Sequence, residues 1–284
     1  MSFLRQSSRF GGVALALCTL TLGAVGCQKQ EDHPPFAEGC NTCGPLPGII
    51  VGSGSAGSGA TPEDSDAGTG MLTGQVLQLN DATFVHSALY PNGAVVTADG
   101  AKGTPVSHDW DGADPYLLSG VARVSTNWVN VKPNLVGGDL LQTYQAVRTN
   151  AVSSVDLALI SGATLDGVFN AVSSIRSPTF GQVVLFFRSA GTGAPLAGLH
   201  VAMPSADLAA YANGTSWTLD DGTATTSTSG LIVFGNVDGA NSTGTQTVTI
   251  TRAATATSAA LSAGQFAVKV VAGAATIATV NVQL

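Results

Sequence analysis

Charge is what this sequence lacks most: only 10% of its 284 residues are Asp, Glu, Lys or Arg, against roughly a quarter in an ordinary soluble domain. Bases are scarcer than acids, 11 against 18, for a formal charge of -7. A nucleic-acid partner, which is gripped through its phosphates by clustered Lys and Arg, is thereby excluded. HExxH, GxSxG and P-loop patterns are all missing, so no zinc-hydrolase, serine-hydrolase or nucleotide-binding chemistry is indicated. Histidine is sparse. His86, His108 and His200 lie beyond residue 70, and none is three or four residues from another. Each reads as a strand or turn residue with a solvated ring, and neither a reaction class nor a cofactor is implied. The mean hydropathy is +0.29, yet the one long apolar run lies at the N-terminus, which leaves no transmembrane bundle.

That N-terminal run is an address. Arg5 and Arg9 precede the apolar stretch Val13 to Val25, which ends in small residues, the order of a secretory signal peptide and too short for a stable span. Ala24-Val25-Gly26-Cys27 resembles the bacterial lipobox, although leucine is commoner than alanine at its first position. The resemblance implies that residues 1–26 are removed and that Cys27 carries a diacylglycerol and a further acyl chain such as palmitate. Several chains, at about 0.8 kcal/mol per buried CH₂, hold a protein on a membrane where a single chain is marginal. Gln28, rather than aspartate, follows Cys27; in the same resemblance that favours delivery to the outer membrane, on its periplasmic face or the cell surface. A plain secretory signal with an incidental cysteine is the alternative.

Residues 27–70 are rich in Pro, Gly, Ser and acids with almost no apolar period, a composition that cannot repay its ordering entropy. They read as a flexible linker with a mean span on the order of 35–40 Å. Within it, Cys40-Asn41-Thr42-Cys43 is a lone CxxC pair, flanked by Gly39 and by Gly44-Pro45. No second ligand pair stands at zinc-finger spacing, and no helix opens at the pair. In an oxidising envelope the expected outcome is a local Cys40–Cys43 disulfide, with unpaired or intermolecular thiols as the other reading.

From Met71 onward the pattern is that of strands. Val155, Leu157 and Leu159 lie two apart, as do Val183, Leu185 and Phe187, and Phe266, Val268 and Val270; a period of two puts each set on one buried face. Thr247, Thr249 and Thr251 occupy an outer face with β-branched rather than charged residues. Asn92-Gly93, Asp99-Gly100, Asp111-Gly112 and Asp221-Gly222 supply turns between runs. Together these predict an all-β protein of two tandem antiparallel β-sandwich domains, 71–160 and 181–284. In the junction, 161–180, Leu165, Val168, Phe169, Val172 and Ile175 take helical spacing and predict a short helix over 163–176, weakened by Gly167.

The two halves are alike. YPNGAVVTADG followed by SHDWDGADPYLLSGV in the first corresponds to GAPLAGLHVAMPSA followed by TTSTSGLIVFGNV in the second. These stretches resemble the carboxypeptidase regulatory-like domains, small transthyretin-like sandwiches with a turn, a strand, then D-x-x-G-x-(Y/F)-x-(L/F)-x-x-(V/L). Asp109, Gly112, Tyr116, Leu118 and Val121 match near that pattern with a longer turn at Ala113-Asp114-Pro115; Ser227, Gly230, Val233, Phe234 and Val237 match without the aspartate. The resemblance implies a non-catalytic appendage. An immunoglobulin-like sandwich is the other fold open to this pattern.

Two features invite ligands. Asp109, Asp111 and Asp114 surround Gly112 and would make either a calcium cage or an Asp-Gly turn with self-capped backbone. Trp110, Tyr116, Trp128, Tyr144, Tyr211 and Trp217 would form either a glycan platform or core. Asn213-Gly214-Thr215 and Asn241-Ser242-Thr243 match the short glycosylation sequon. The expectation is a lipid-anchored envelope protein whose partner is a protein, with a saccharide as the alternative. Metabolic labelling with a palmitate analogue is expected to mark the protein and to be lost on Cys27→Ser; an unlabelled wild-type chain would refute the anchor.

Overall fold

Three runs are apolar at every position rather than at every other one: Leu157–Ile160, Val183–Phe187 and Leu231–Phe234. A strand of this kind has no polar face to give to water and belongs in a sheet covered on both sides. The computed structural model, which describes residues 49–52, 68–84, 87–124, 126–135, 138–239, 244–254 and 261–283, contains such a sheet. Cys27, Cys40, Cys43, His86 and the Asn241-Ser242-Thr243 sequon lie outside the described residues.

In chain order, β1 (Ile49–Gly52) precedes β2 (Thr69–Gly74), β3 (Val76–Leu79), β4 (Ser87–Leu89), β5 (Ala94–Asp99), β6 (Pro105–Trp110) and β7 (Tyr116–Ala122). Next come β8 (Asn127–Pro133), β9 (Leu140–Leu141), β10 (Thr143–Val147), β11 (Val152–Ser154), β12 (Leu157–Ser161) and helix α1 (Gly162–Ala171). The second half holds β13 (Gly181–Ser189), β14 (His200–Ala202), β15 (Ala206–Asn213), β16 (Ser216–Leu219) and β17 (Leu231–Val237). It closes with β18 (Thr245–Arg252), β19 (Leu261–Lys269) and β20 (Ala275–Gln283). The main sheet runs β16-β15-β17-β13-β20-β10-β8-β5-β6 and so passes unbroken from one half to the other, with β1 also paired to β20. Three smaller sheets, β11-β2-β7, β4-β3-β12-β9 and β14-β18-β19, cover its faces.

Three apolar clusters follow from these layers. In the first half, Leu72, Tyr116 and Leu118 of the small sheet meet Val96, Val129, Val131 and Trp110 of the main one. The second half packs Val183, Leu185, Phe187 and Val280 against Val248, Ile250, Phe266 and Val268. On the opposite face of those same strands, Val184, Phe186, Val233 and Ile277 meet Leu165 and Val168 of α1 and Ile160 of β12. Gly235 marks how closely the helix sits: a Cβ there would come within 2.2 Å of Phe169 Cζ.

The all-β sandwich architecture with one short helix at the junction matches the sequence expectation, with two departures. First, the sheets are mixed rather than antiparallel throughout. β20 lies parallel to β13 on one side and to β10 and β1 on the other, β11 is parallel to β2, and β12 to β3. Burial of both faces is what permits this. Second, α1 stops at Ala171 instead of 176. Ser161 caps its start by accepting from Thr164 N at 2.9 Å, and Ser173, at φ 57°, takes the left-handed conformation that ends a helix. Ser173 N donates to Asn170 O and Ser174 N to Phe169 O, the paired closure that satisfies the final carbonyls. Beyond it, Asn236 accepts from Ser177 N at 2.7 Å and donates to Ile175 O at 3.1 Å, pinning the strand-bound loop.

A polar tie within the first half joins β10 to β12. Buried Gln145 of β10 donates to Asp156 O and accepts from Ala158 N, both at 3.1 Å, so that one side chain replaces a missing strand partner for β12. Gln145→Leu leaves a buried donor and a buried acceptor unpaired, and is expected to lower unfolding free energy by about 1–3 kcal/mol; equilibrium urea denaturation measures it.

Candidate functional site

Most of the aromatic residues are core. Relative exposures are 1% for Trp110, 0% for Tyr116, 2% for Tyr211 and 8% for Trp217, and Trp217 stands edge-on to Phe84 with ring centroids 6.1 Å apart. Trp128 and Tyr144 are the two half-buried members of the set. Antiparallel pairing of β8 with β10 sets Asn130 opposite Tyr144 and Trp128 opposite Ala146. Residues two apart share a face, so Trp128, Asn130 and Tyr144 lie together. Thr97 neighbours Asn130 across β5, Ser107 neighbours Thr97 across β6, and Thr276 neighbours Tyr144 across β20.

This outer face of the first half is dressed almost wholly with uncharged hydrogen-bonding groups. Gln142 Nε2 lies 3.0 Å from both Asn130 Oδ1 and Tyr144 OH, and the Thr97 and Ser107 hydroxyls are 2.9 Å apart. Burial raises the Tyr144 phenol above its ordinary pKa. At one margin Asp109 and Lys132 flank Val95, one on each neighbouring strand. Trp128 packs against the apolar cluster of the second half beside Ala146, so the arrangement offers the half-buried Tyr144 ring and a row of fixed amides and hydroxyls. The signal for it stands in Asn127-Trp128-Val129-Asn130-Val131-Lys132: the buried valines alternate with the face residues. Sequence reasoning names Trp128 and Tyr144 but misses Asn130, Gln142 and Thr97.

The aspartate cluster is a turn. Asp111 Oδ1 accepts from Ala113 N at 3.0 Å, Trp110 Nε1 donates to Asp114 O, and Asp109 stands on the outer face. Gly112 has φ +94°, and a Cβ there would lie 2.7 Å from Pro91 O, which is why glycine occupies the bend. Among the described residues no three His, Cys, Asp or Glu side chains gather as a metal-holding group.

The remaining histidines are not brought together either. His108 is half-buried on β6 opposite Val96, and His200 Nε2 is 4.0 Å from Asp220 Oδ2. Beside that pair the Tyr211 hydroxyl accepts from Val201 N and donates to Val201 O, both at 2.9 Å, bracing β15 to β14.

A search of family models found no match, and a search of curated proteins found none. Among solved structures, the chain is similar to the Bacillus anthracis TIE protein at 13% identity and TM-score 0.22, covering 76% of this chain and 34% of that one. Shaft pilin SpaA from Lactobacillus rhamnosus GG is 9% identical with TM-score 0.22, over 76% of this chain and 98% of that one. A Bacteroides uniformis ATCC 8492 protein, provisionally described as carbohydrate-binding, is 10% identical with TM-score 0.21, over 72% and 97%. The chain thus spans about a third of the TIE protein's length.

The Tyr211 brace has a pH signature. Burial pushes its phenol up to about 12, whereas an unfolded tyrosine titrates near 10. The folded state therefore holds this proton more tightly, and its contribution is complete below about pH 10 and lost as pH rises toward 12. Urea midpoints at about pH 9 and about pH 11 are expected to differ less in Tyr211→Phe than in the wild type; equal differences would remove Tyr211 as a source.

Proposed function

We propose that this protein is a non-catalytic binding module of the bacterial cell envelope, held on the outer membrane by lipid at Cys27, and that it makes structural or adhesive contact with a partner protein. The observation that carries this reading is the outer face of β5, β6, β8 and β10. Its side chains are fixed by a sheet that continues into the second half, its groups are uncharged donors and acceptors around the half-buried Tyr144 ring, and Asp109 and Lys132 give one margin a charge pattern. A rigid, half-apolar, hydrogen-bonding face suits a folded partner. In the same reading residues 1–26 leave as a signal peptide, 27–70 tether the two sandwich halves 71–160 and 181–284, and Cys40 and Cys43 close a local disulfide.

One observation favours a saccharide as the second reading: the half-buried Tyr144 ring lies beside Asn130 and Gln142. Sugar rings stack on aromatic faces while amides take up their hydroxyls. The two readings separate in one experiment. Residues 28–284 are immobilised and offered detergent-solubilised envelope and, separately, purified envelope polysaccharides. For a protein partner, Lys132→Glu with Asn130→Arg is expected to weaken binding at least about tenfold, roughly 1.4 kcal/mol. For a saccharide, Tyr144→Ala has the larger effect. Binding that survives all three changes places the contact elsewhere; absence of both ligands overturns the module reading.

A further inference from the structure

The C-terminal strand β20 has one edge filled entirely by β13, from Gln182 to Ser189. Its other edge is divided. Strand β10 takes Ala275–Ile277, and β1 takes Val280–Gln283, in the parallel register Ile49↔Val280, Ile50↔Asn281, Val51↔Val282 and Gly52↔Gln283. Since β13 and β10 already fix β20 in the sheet, β1 is an addition to a finished edge rather than part of the frame. Its Ile-Ile-Val core has the β-branched composition that suits such an addition, and β20 is its strand partner.

The covalent connection to β2 is residues 53–67, SGSAGSGATPEDSDA, a Gly/Ser linker by composition. On the other side, Gly48 and Pro47 precede the strand. A short β-branched segment between such connections makes the same main-chain hydrogen bonds whether it reaches the edge within its own chain or from another.

We propose that the Val280–Gln283 edge of β20 is a strand-acceptor site and that two copies of this chain join through it, the Ile49–Gly52 strand of each copy pairing with β20 of the other. The occupant is specified by the structure itself, since this segment already fits the edge in cis. Cis and trans pairing form equivalent contacts, so their balance follows the effective concentration that the linker confers, on the order of 1 mM. Dilute protein is then monomeric, and copies exchange strands as their local concentration approaches that value. The proposal goes beyond the binding face described above and is independent of Cys27.

The test uses residues 28–284 with Cys40→Ser and Cys43→Ser. Gly52→Cys and Gln283→Cys are placed in separate chains carrying tags of different length, mixed at about 10 μM and about 1 mM, and treated with a short bismaleimide. Gln283 is exposed, so its replacement spares the core. The expected result is a covalent dimer of the two differently tagged chains, a minor product at the lower concentration and a major one at the higher. It is expected to disappear when Ile50→Pro and Val51→Pro are added to the Gly52→Cys chain, because N–H groups of successive strand residues face opposite edges and one of the two prolines must remove a bond to β20. A double Gly52→Cys, Gln283→Cys chain that crosslinks only within itself, with no mixed dimer at about 1 mM, overturns the proposal. So does a mixed dimer that the Ile50→Pro, Val51→Pro pair leaves unchanged, or a double cysteine variant that fails to crosslink within the chain.

Discussion

Both halves of this protein depend on the main-chain hydrogen bonds of one strand, β20. It arrives last in the chain and is laid between β13 of the second half and β10 of the first, parallel to both. Its side chains are buried on both faces from Ala275 to Val282, with Ala278, Val280 and Val282 in one cluster and Ala275 and Ile277 in another. Parallel pairs are made between segments distant in sequence, so the seam forms only after a large loop-closure entropy has been met. The Gln145 tie to Asp156 and Ala158 then holds β12 to β10, the strand through which the first half meets β20.

That arrangement explains how polar groups are distributed. Where the main sheet is covered on both sides, polar side chains serve as braces: Tyr116 OH donates to Val155 O at 2.5 Å, and Tyr211 spans β15 and β14. Where the sheet has an open face, at β5, β6 and the adjoining part of β8 around Asn130, the same residue types point outward and bond to one another. Burial raises the pKa of Tyr116 and Tyr144 alike, yet the first is locked in a core and the second borders solvent. A shifted phenol thus identifies packing, and the strand register decides whether the group can meet a partner.

Alternation makes the strands legible in the sequence. Val183, Leu185 and Phe187 do share one buried face, and the Gly-punctuated turns fall where Asp111-Gly112 bends. What alternation alone conceals is the second face: Val184 and Phe186 are equally apolar, and a run without a polar partner signals cover on both sides and hence room for parallel pairing. The helix is legible at its start, from Ser161 and Thr164, and not at its end, because Val172 and Ile175 continue the apolar spacing while Ser173 breaks the backbone. A serine in the left-handed region carries no clear sequence mark. Of the outward face, Trp128 and Tyr144 are visible as aromatics, but their being neighbours depends on the register of β8 against β10, a tertiary fact.

The shortage of charge leaves a sheet protein with little of the usual edge protection by lysine and glutamate. Geometry takes that part here. Edge strands β4, β11 and β14 have three residues each, β9 has two and β16 four, too few to template an incoming chain. At the longer edge β6, Pro105 stands at the first position, where a missing N–H costs the ladder nothing. Irregularities at Gly70/Met71 and Ile250/Arg252 interrupt the regular spacing that another strand would need. The longer edges β7 and β19 each carry one such irregularity against their inner neighbour, whereas the Val280–Gln283 edge of β20 is regular in register and receives an Ile-Ile-Val strand.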